Sequence, residues 1–294
     1  MHKYLRTIGF SNYRRENEVK ALLEVLAKES DNARFFQTDR DSTLCEIRNE
    51  IAPGLGIAMF GQMNDRDELD IRYYYPYIES GLVSSREQCT IQRHAEKETF
   101  AGMLDEYAVG VSLIFYLLNP IEYRDKFMKY GPRLDVSGVR LSALASEGTI
   151  LLPIQFTEKQ KEKDIILTSK RNEMLKAARD GDAEAMEALT FSEYDLFNQI
   201  IKRVENEDIY SIVDSTFLPS GLESDQYQVL GMIEDLKEKK NRITEEIVYD
   251  MLIRCNGIRF RVAVNREDLL GEPAVGRRFK GKIWMQGIAN FTVA

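Results

Sequence analysis

The spacing of apolar residues changes twice along this chain, and that change limits the folds open to it. Over about 33–155, and again over 208–291, many stretches alternate between apolar and polar residues, a period of two that predicts β-strands. Between them, residues 157–206 have the longer spacing of amphipathic helices. We therefore expect an α+β fold in which a helical segment joins two β-rich modules.

The first module, residues 1–156, is predicted to open with a helix over about 14–28. Val19, Leu22, Leu23 and Leu26 fall at positions i, i+3, i+4 and i+7, which places them on one face. A polar loop is expected after Leu118-Asn119. The strands predicted for this module lie at 44–51, 55–63, 69–77, 87–95, 109–118, 137–145 and 149–156.

The second module, residues 207–294, follows the helical connector 157–206. Asn256-Gly257 separates two apolar runs and predicts a hairpin with a type I′ turn. Five strands and a short helical loop near Glu267 suit a small, partly open barrel of the OB or SH3-like kind. The predicted strands lie at 208–217, 226–237, 246–255, 258–264 and 278–291.

The two modules share an order of features that suggests an internal duplication. Ala52-Pro53-Gly54-Leu55 and Leu218-Pro219-Ser220-Gly221-Leu222 each precede an apolar strand, a charged turn and a strand carrying tyrosine. The spacings between the corresponding features differ. The alternative is that β-rich chains reuse the same turn residues independently.

Composition and motifs argue for a cytoplasmic protein and against several classes. The start of the chain lacks the apolar region of a signal peptide, and the most apolar run, 108–118, is too short to span a bilayer. Cys45, Cys89 and Cys255 lie far apart, which predicts reduced thiols and no motif-spaced zinc site. Gly54-Leu55-Gly56 precedes a strand, whereas a phosphate-binding loop opens a helix. We expect no metal, no cofactor and no membrane association.

No catalytic residue can be assigned from a motif. His94 with Glu96 could act as a general base on one strand face, but no nucleophile with a local signature accompanies the pair. The alternative is a structural or surface histidine. The tyrosine-rich strand 73–77 could offer a stacking surface, of which Tyr74 is the expected exposed member, or it could fill the core.

The basic C-terminal end is the leading candidate for a ligand-binding surface. Residues 254–294 carry eight basic and three acidic side chains, whereas the whole chain has a net charge of −8. Alternation places cations on one face of each of two strands and Trp284 on the second, an arrangement that single-stranded nucleic-acid binders use. The alternative is a solvated outer face with Trp284 packed at an edge. The candidate ligand-binding residues are Arg259, Arg261, Arg278, Lys280, Lys282 and Trp284.

The opening segment, Met1 to Ser11 (MHKYLRTIGFS), resembles that of an uncharacterised bacterial, Firmicutes-type protein family known only as a domain of unknown function. The resemblance covers this short stretch and the overall length. It implies a cytoplasmic bacterial protein and brings no activity, cofactor or catalytic residue.

The function expected from these observations is non-enzymatic binding or scaffolding, with a protein partner or a second copy of the chain. One alternative is single-stranded nucleic-acid binding through the basic C-terminal strands. The other is an enzyme that uses His94.

Overall fold

The computed structural model describes residues 2–30, 33–37, 43–64, 69–93, 99–106, 109, 112–154, 158–179, 181–189, 191, 208–221 and 223–293. Over these residues the protein is α+β and mostly β, with two sheets, which confirms the predicted fold class. The helices are α1 Glu16–Lys28, α2 Pro120–Tyr130, α3 Glu158–Arg179, α4 183–189 and α5 Ile209–Ile212. The strands are β1 Ala33–Gln37, β2 Thr43–Ala52, β3 Leu55–Met63, β4 Leu69–Ile78, β5 Cys89–Arg93, β6 Phe100–Leu104, β7 Leu113–Leu117, β8 Leu134–Leu151, β9 Thr216–Pro219, β10 Gln226–Lys240, β11 Ile247–Cys255, β12 Ile258–Asn265, β13 Leu269–Leu270 and β14 Arg278–Val293.

The smaller sheet contains β1–β4 in sequence order, each strand antiparallel to the next. Helix α1 packs against it through the apolar face that the sequence predicts, and Leu26 in that face is fully buried. The Asn49 side-chain amide on β2 donates to the Leu26 carbonyl at 3.0 Å, which ties the last turn of the helix to the sheet. This contact sets the position of α1 relative to β2.

The larger sheet takes its strands from both sides of the helical connector. Its order is β13-β8-β12-β11-β10-β14-β7-β6-β5, with β9 beside β10. Strand β8 also pairs antiparallel with β14 along nearly its whole length, and it pairs parallel with β12. The larger sheet therefore hydrogen-bonds a strand that precedes residues 157–206 to strands that follow them. The division into modules 1–156, 157–206 and 207–294 stays a prediction, as does the internal duplication; within the described residues one sheet has four strands and the other ten.

The predicted hairpin at Asn256-Gly257 is confirmed. Both residues have positive φ, 48° and 86°, as a type I′ turn requires. Cys255 pairs with Ile258 directly across the turn, so β11 and β12 are joined by a two-residue loop.

Three predictions about local structure are wrong. Residues 137–145 and 149–156 do not form two strands, because β8 continues through Gly148 without a turn. The polar loop after Asn119 is helix α2, which has Pro120 at its first position, where the missing N–H costs nothing. The strand expected at 208–217 starts instead as α5, since the Asp208 carboxylate accepts from the Tyr210 N–H at 2.8 Å and caps a helical turn.

Two hydrophobic cores meet along β14. Phe279, Ile283 and Met285 belong to the core enclosed by the larger sheet. Trp284 and Ile288 point to the opposite side and join the core beneath the smaller sheet and α1. Strand β14 is therefore buried on both faces, which explains its near-continuous apolar run after Lys282.

Two of the helices predicted for residues 157–206 are present in the described part of the chain. Helix α3 covers 22 residues and α4 follows at 183–189, whereas a third predicted helix lies at 192–207, outside the described residues. Within the described part of the chain, no helix is long and apolar enough to cross a membrane.

Candidate functional site

A concave surface lies between α1 and one end of the smaller sheet. It is a groove of about 740 Å³, here called the helix–strand groove. One wall is a single face of α1, on which lining residues recur every three or four positions. The other wall is the first part of β4, residues 69–74. The lining residues of α1 include Glu16, Val19, Lys20, Leu23, Glu24 and Ala27.

Six consecutive residues of β4 line this groove, together with Ile47 of β2 and Met63 of β3. The register between β3 and β4 shifts at Phe60 and Gly61, so β4 contains a β-bulge that breaks the alternation of its side chains. The pairing places Leu69 and Tyr74 on the same face of the sheet as Ile47 and Met63. The groove therefore lies over this face of the smaller sheet, beside α1.

The outer edge of β4, the edge away from β3, has side-chain contacts near its C-terminal end. The side-chain amide of Gln286 donates to the Pro76 carbonyl at 2.9 Å and accepts from the Ile78 N–H at 3.3 Å. The Ser142 hydroxyl donates to the Ile78 carbonyl at 2.6 Å. Among the described residues, no strand pairs with this edge. Pro76 fits such an edge, because proline lacks the N–H that a central strand would need.

The groove has apolar walls and a balanced rim of charge. Its apolar lining includes Val19 and Leu23 on the helix and Leu69 and Ile71 on the strand, of which the two strand residues are partly exposed. Three acids and three bases also line it: Glu16, Glu24, Asp70, Lys20, Lys28 and Arg72. A balanced rim favours an uncharged occupant over a polyanion.

The six candidate residues from the C-terminal strands do not form one cationic face. They lie on β12 and β14, which do not pair with each other, since β10 and β11 separate them on one side and β8 on the other. Arg278 is 4% exposed, and its guanidinium donates to the carbonyls of Leu152, Tyr210 and Val213 at 3.0, 2.7 and 2.9 Å. The charged side chain of Arg278 is therefore bonded inside the molecule and is not presented to a ligand.

The two arginines of β12 also have partners. Arg261 donates to Asp250 at 2.9 Å and to Asp235 at 2.6 Å, and the latter bond lowers the pKa of the Asp235 carboxyl. Arg259 is more exposed, with half of its side chain in solvent and Glu234 at 4.0 Å. Neutralised by neighbouring acids, these arginines make a weak anion site.

Trp284 lies in the core and not on an open face. It is 6% exposed, and its indole N–H donates to Asp225 at 2.7 Å. Its ring stacks on Tyr4 with 5.4 Å between ring centroids and also contacts Tyr116. The prediction that Trp284 offers a free stacking platform is therefore wrong, because the larger sheet buries this face of β14 under the smaller one.

Lys280 and Lys282 do lie together. They line a second cleft of about 610 Å³ on the outer side of β8 and β14, here called the lysine cleft, with Glu147, Glu267 and Asp268. The Lys280 ammonium donates to the Tyr210 hydroxyl. Lys282 has neither a hydrogen bond nor an ion pair within the described part of the chain.

A third cavity, of about 700 Å³, contains an internal ion pair. Arg48 donates to Glu46 at 2.9 Å and to Glu79 at 3.1 Å, and its guanidinium lies over the Tyr77 ring. The nearby Tyr75 is buried, and its hydroxyl has no hydrogen-bond partner among the described residues. The two carboxylates compensate the charge of Arg48, and nothing about this cavity defines a ligand.

The tyrosine strand mainly serves the core. Tyr73 stacks on Phe60 at 4.7 Å, and Tyr75 and Tyr77 are buried. Tyr74, the member expected to be exposed, is half-buried and accepts a hydrogen bond from the His2 N–H at 2.9 Å.

The other catalytic and metal candidates give no site. His94 and Glu96 lie outside the described residues. In the part that is described, no group of three or more His, Cys, Asp or Glu side chains could hold a metal ion. Cys45, Cys89 and Cys255 are buried free thiols, and burial raises the pKa of Cys89 and of Cys255 to about 12, which keeps them protonated.

The sequence predicted the elements that line the groove but not that they lie next to each other. The apolar stripe of α1 predicts a buried face, and the alternation of β4 predicts a strand. Neither pattern says that the helix covers a face of the sheet to which that strand belongs. Pro76 within an apolar strand was the one local signal of an edge.

Comparison with known proteins places the chain in a family without assigning an activity. The family model described as "Domain of unknown function, E. rectale Gene description (DUF3881)" matches residues 5–287. No curated protein and no solved structure matches. The resemblance of the opening segment to an uncharacterised family is thereby confirmed. From its fifth residue to its 287th, this chain belongs to the DUF3881 family.

Proposed function

We propose that this protein is a non-catalytic binding protein whose partner occupies the helix–strand groove. One observation carries the proposal: a groove of about 740 Å³ lies between α1 and a face of the smaller sheet, with three acids and three bases in its lining. Binding grooves are typically concave, mostly apolar and preformed. The buried face of α1 and the Asn49–Leu26 bond hold both walls in place, so the groove does not have to assemble on binding.

Site-specific photo-crosslinking in cells tests this function. A photoreactive amino acid replaces Lys20, which lines the groove, or Ala21, which is exposed on another face of α1. We expect a discrete crosslinked product from position 20 and none from position 21. The product should also disappear when Ala27→Trp fills the groove. Equal crosslinking from both positions, or a product that Ala27→Trp leaves unchanged, would contradict the proposal.

The lysine cleft supports a second candidate function, which is binding of a single-stranded polyanion. The observation in its favour is that Lys280 and Lys282 share one concave surface. The acids Glu147 and Glu267 in the same cleft weaken it, as does the overall net charge of −8. The contribution of Arg261, Arg278 and Trp284 is indirect at most, because each has internal partners.

Titration of the full chain with a labelled single-stranded oligonucleotide tests the second candidate. If two lysines contact phosphates, the logarithm of the binding constant should fall with the logarithm of salt with a slope of about −1.4. Lys282→Glu should abolish binding, whereas Arg259→Glu should leave it unchanged. Binding that both variants retain would remove the cleft from consideration.

We also propose that the C-terminal strands β10, β11, β12 and β14 belong to a partly open barrel, as expected for residues 207–294, and that β8 from the preceding part of the chain completes it. In support, each of these strands pairs with two others of the set. A cytoplasmic location is likewise a proposal, supported by three cysteines that are free thiols, as is usual in a reducing compartment.

A further inference from the structure

We infer that Asn256 is a latent site of chemical modification, at which its side-chain amide can close onto the backbone nitrogen of Gly257, and that the Ser215 hydroxyl restrains this reaction. The site lies in the two-residue turn that joins β11 to β12. Asn256-Gly257 is the only Asn-Gly pair in the sequence. The inference is independent of the proposed function, since the turn does not line the helix–strand groove.

The reaction needs only water besides the chain itself. The Gly257 nitrogen loses its proton to hydroxide and attacks the side-chain carbonyl carbon of Asn256, and the new C–N bond closes a succinimide ring. The bond from that carbon to the side-chain nitrogen breaks, and ammonia leaves with a proton from water. Water then opens the ring at either of its carbonyls, which gives aspartate or isoaspartate. Glycine favours the closure, because it has no Cβ beside the attacking nitrogen.

The turn leaves the attacking nitrogen accessible. Gly257 is exposed, and its N–H makes no hydrogen bond to any of the described residues. The residues that pair across the turn are Cys255 and Ile258. The nucleophile is therefore neither covered nor engaged in the β-ladder.

The other reacting group is held by a neighbouring segment. The Ser215 hydroxyl, just before β9, donates to the side-chain oxygen of Asn256 at 2.8 Å and accepts from the Asn256 N–H at 3.4 Å. The Cys255 thiol donates to the Thr216 carbonyl at 3.1 Å, which fixes this segment beside the turn. An intramolecular attack requires that the two reacting atoms be aligned. A side chain that Ser215 holds by its oxygen must give up that bond before it turns toward Gly257.

The consequence of the reaction falls on the hairpin. Isoaspartate routes the main chain through the former side chain and so lengthens it, whereas a type I′ turn joins its strands through two residues of fixed conformation. The pairing of Cys255 with Ile258 would then be lost. Ser215 therefore protects the connection between two strands of the larger sheet.

Peptide mass spectrometry of the full-length protein during incubation at alkaline pH tests the inference, because hydroxide removes the proton from the attacking nitrogen. We expect Asn256 to convert about two- to tenfold faster in Ser215→Ala than in wild type, the factor that one hydrogen bond contributes. Ser220→Ala is the control, since the described residues offer its hydroxyl no hydrogen-bond partner, and it should leave the rate unchanged. Melting temperatures show that both variants stay folded during the incubation.

The same incubation in guanidinium chloride needs no variant. In the unfolded chain Ser215 is no longer beside Asn256, so wild type should convert faster than in the folded state and at the same rate as Ser215→Ala. Equal rates of wild type and Ser215→Ala in the folded state would overturn the protective role of Ser215. An Asn256 that stays unconverted in the unfolded chain would overturn the modification site itself.

Discussion

At the scale of single residues, Arg278 shows how an apparently exposed charge becomes an internal bond. Alternation in the sequence places Arg278 on the basic face of a strand. In the structure, residues that flank the helical connector surround its side chain. Its guanidinium donates hydrogen bonds to the carbonyls of Leu152, just after β8, and of Tyr210 and Val213, in and just after α5. The Arg278 side chain therefore links the residue just before segment 153–208 to residues just after it.

Replacement of Arg278 should be costly because three carbonyls lose a charged donor together. We expect Arg278→Gln to lower the free energy of unfolding by about 3 kcal/mol. Arg259→Gln, whose side chain is half exposed, should change it by less than about 0.5 kcal/mol. Urea denaturation of both variants measures the difference. Equal effects would mean that the Arg278 bonds do not hold the connector.

His2 predicts a pH dependence of stability. Burial lowers its pKa to about 4, with a smaller contribution from Lys3, and its Nδ1 accepts from the Tyr4 N–H, which a protonated ring could not allow. Above pH 6.5 the ring is neutral in both the folded and the unfolded states. As the pH falls from about 6.5 toward 4, the unfolded state binds the proton first, so stability is lost.

Between pH 7 and pH 5 this loss should be about 2 kcal/mol. In His2→Gln the part of the pH dependence that comes from this ring should vanish, and other groups remain as in wild type. Urea denaturation at the two pH values checks it. An identical pH dependence in the variant and the wild type would show that His2 does not titrate with folding.

At the scale of elements, the pair β8–β14 depends on two facing glycines. Gly148 lies opposite Gly281, and the Phe279 ring covers both. A Cβ at Gly148 would lie 2.4 Å from a Phe279 ring carbon, closer than any allowed contact. Gly148 is therefore a position of close packing inside a continuous strand. It does not separate two strands, as the predicted strands 137–145 and 149–156 implied.

We expect Gly148→Ala to lower the free energy of unfolding by about 1–3 kcal/mol through overpacking. Combining it with Phe279→Leu should recover part of that loss, since the smaller side chain makes room. Gly81→Ala is the control, because a Cβ there meets nothing within 4 Å. Calorimetric melting of the four variants gives the comparison, and strictly additive losses would contradict a clash with Phe279.

At the scale of the whole molecule, the larger sheet joins strands that precede the helical connector to strands that follow it. Strand β14 has β10 on one side and β8 on the other over residues 278–284. The side chains of Gln286 on β14 and Ser142 on β8 donate hydrogen bonds to backbone carbonyls of β4, which connects the larger sheet to the smaller one. The helix–strand groove is consequently built on a frame to which both modules contribute.

The fragment 207–294 tests this organisation. Without β8, one side of β14 loses its hydrogen-bond partners and its cover. We expect the fragment to lack cooperative thermal unfolding by circular dichroism, in contrast to the full chain. A fragment with a sharp transition and dispersed amide resonances would instead support an independent C-terminal module.

Local patterns predicted the elements that depend on near neighbours. The stripe Val19–Leu26 predicted α1, and Asn256-Gly257 predicted a hairpin because positive φ at both positions is a property of those two residues. Asn119-Pro120 was taken for a loop, because the preference of proline for a helix start looks the same in sequence as its preference for turns. Of the candidate site, only Tyr74 was considered as a binding residue, as the exposed member of a possible stacking surface, although both walls of the groove were predicted as elements.

By itself, the sequence determined the α+β class, helix α1, most strands, the hairpin turn and the family, since these follow from periodicity, backbone preference and overall similarity. Only the tertiary structure decided which charges stay available. Arg278 bonds carbonyls far away in the chain, Arg261 bonds acids on the neighbouring strands, Trp284 is buried between two sheets, and α1 covers a face of the smaller sheet. Such contacts depend on which elements become neighbours, and no local pattern of residues encodes that.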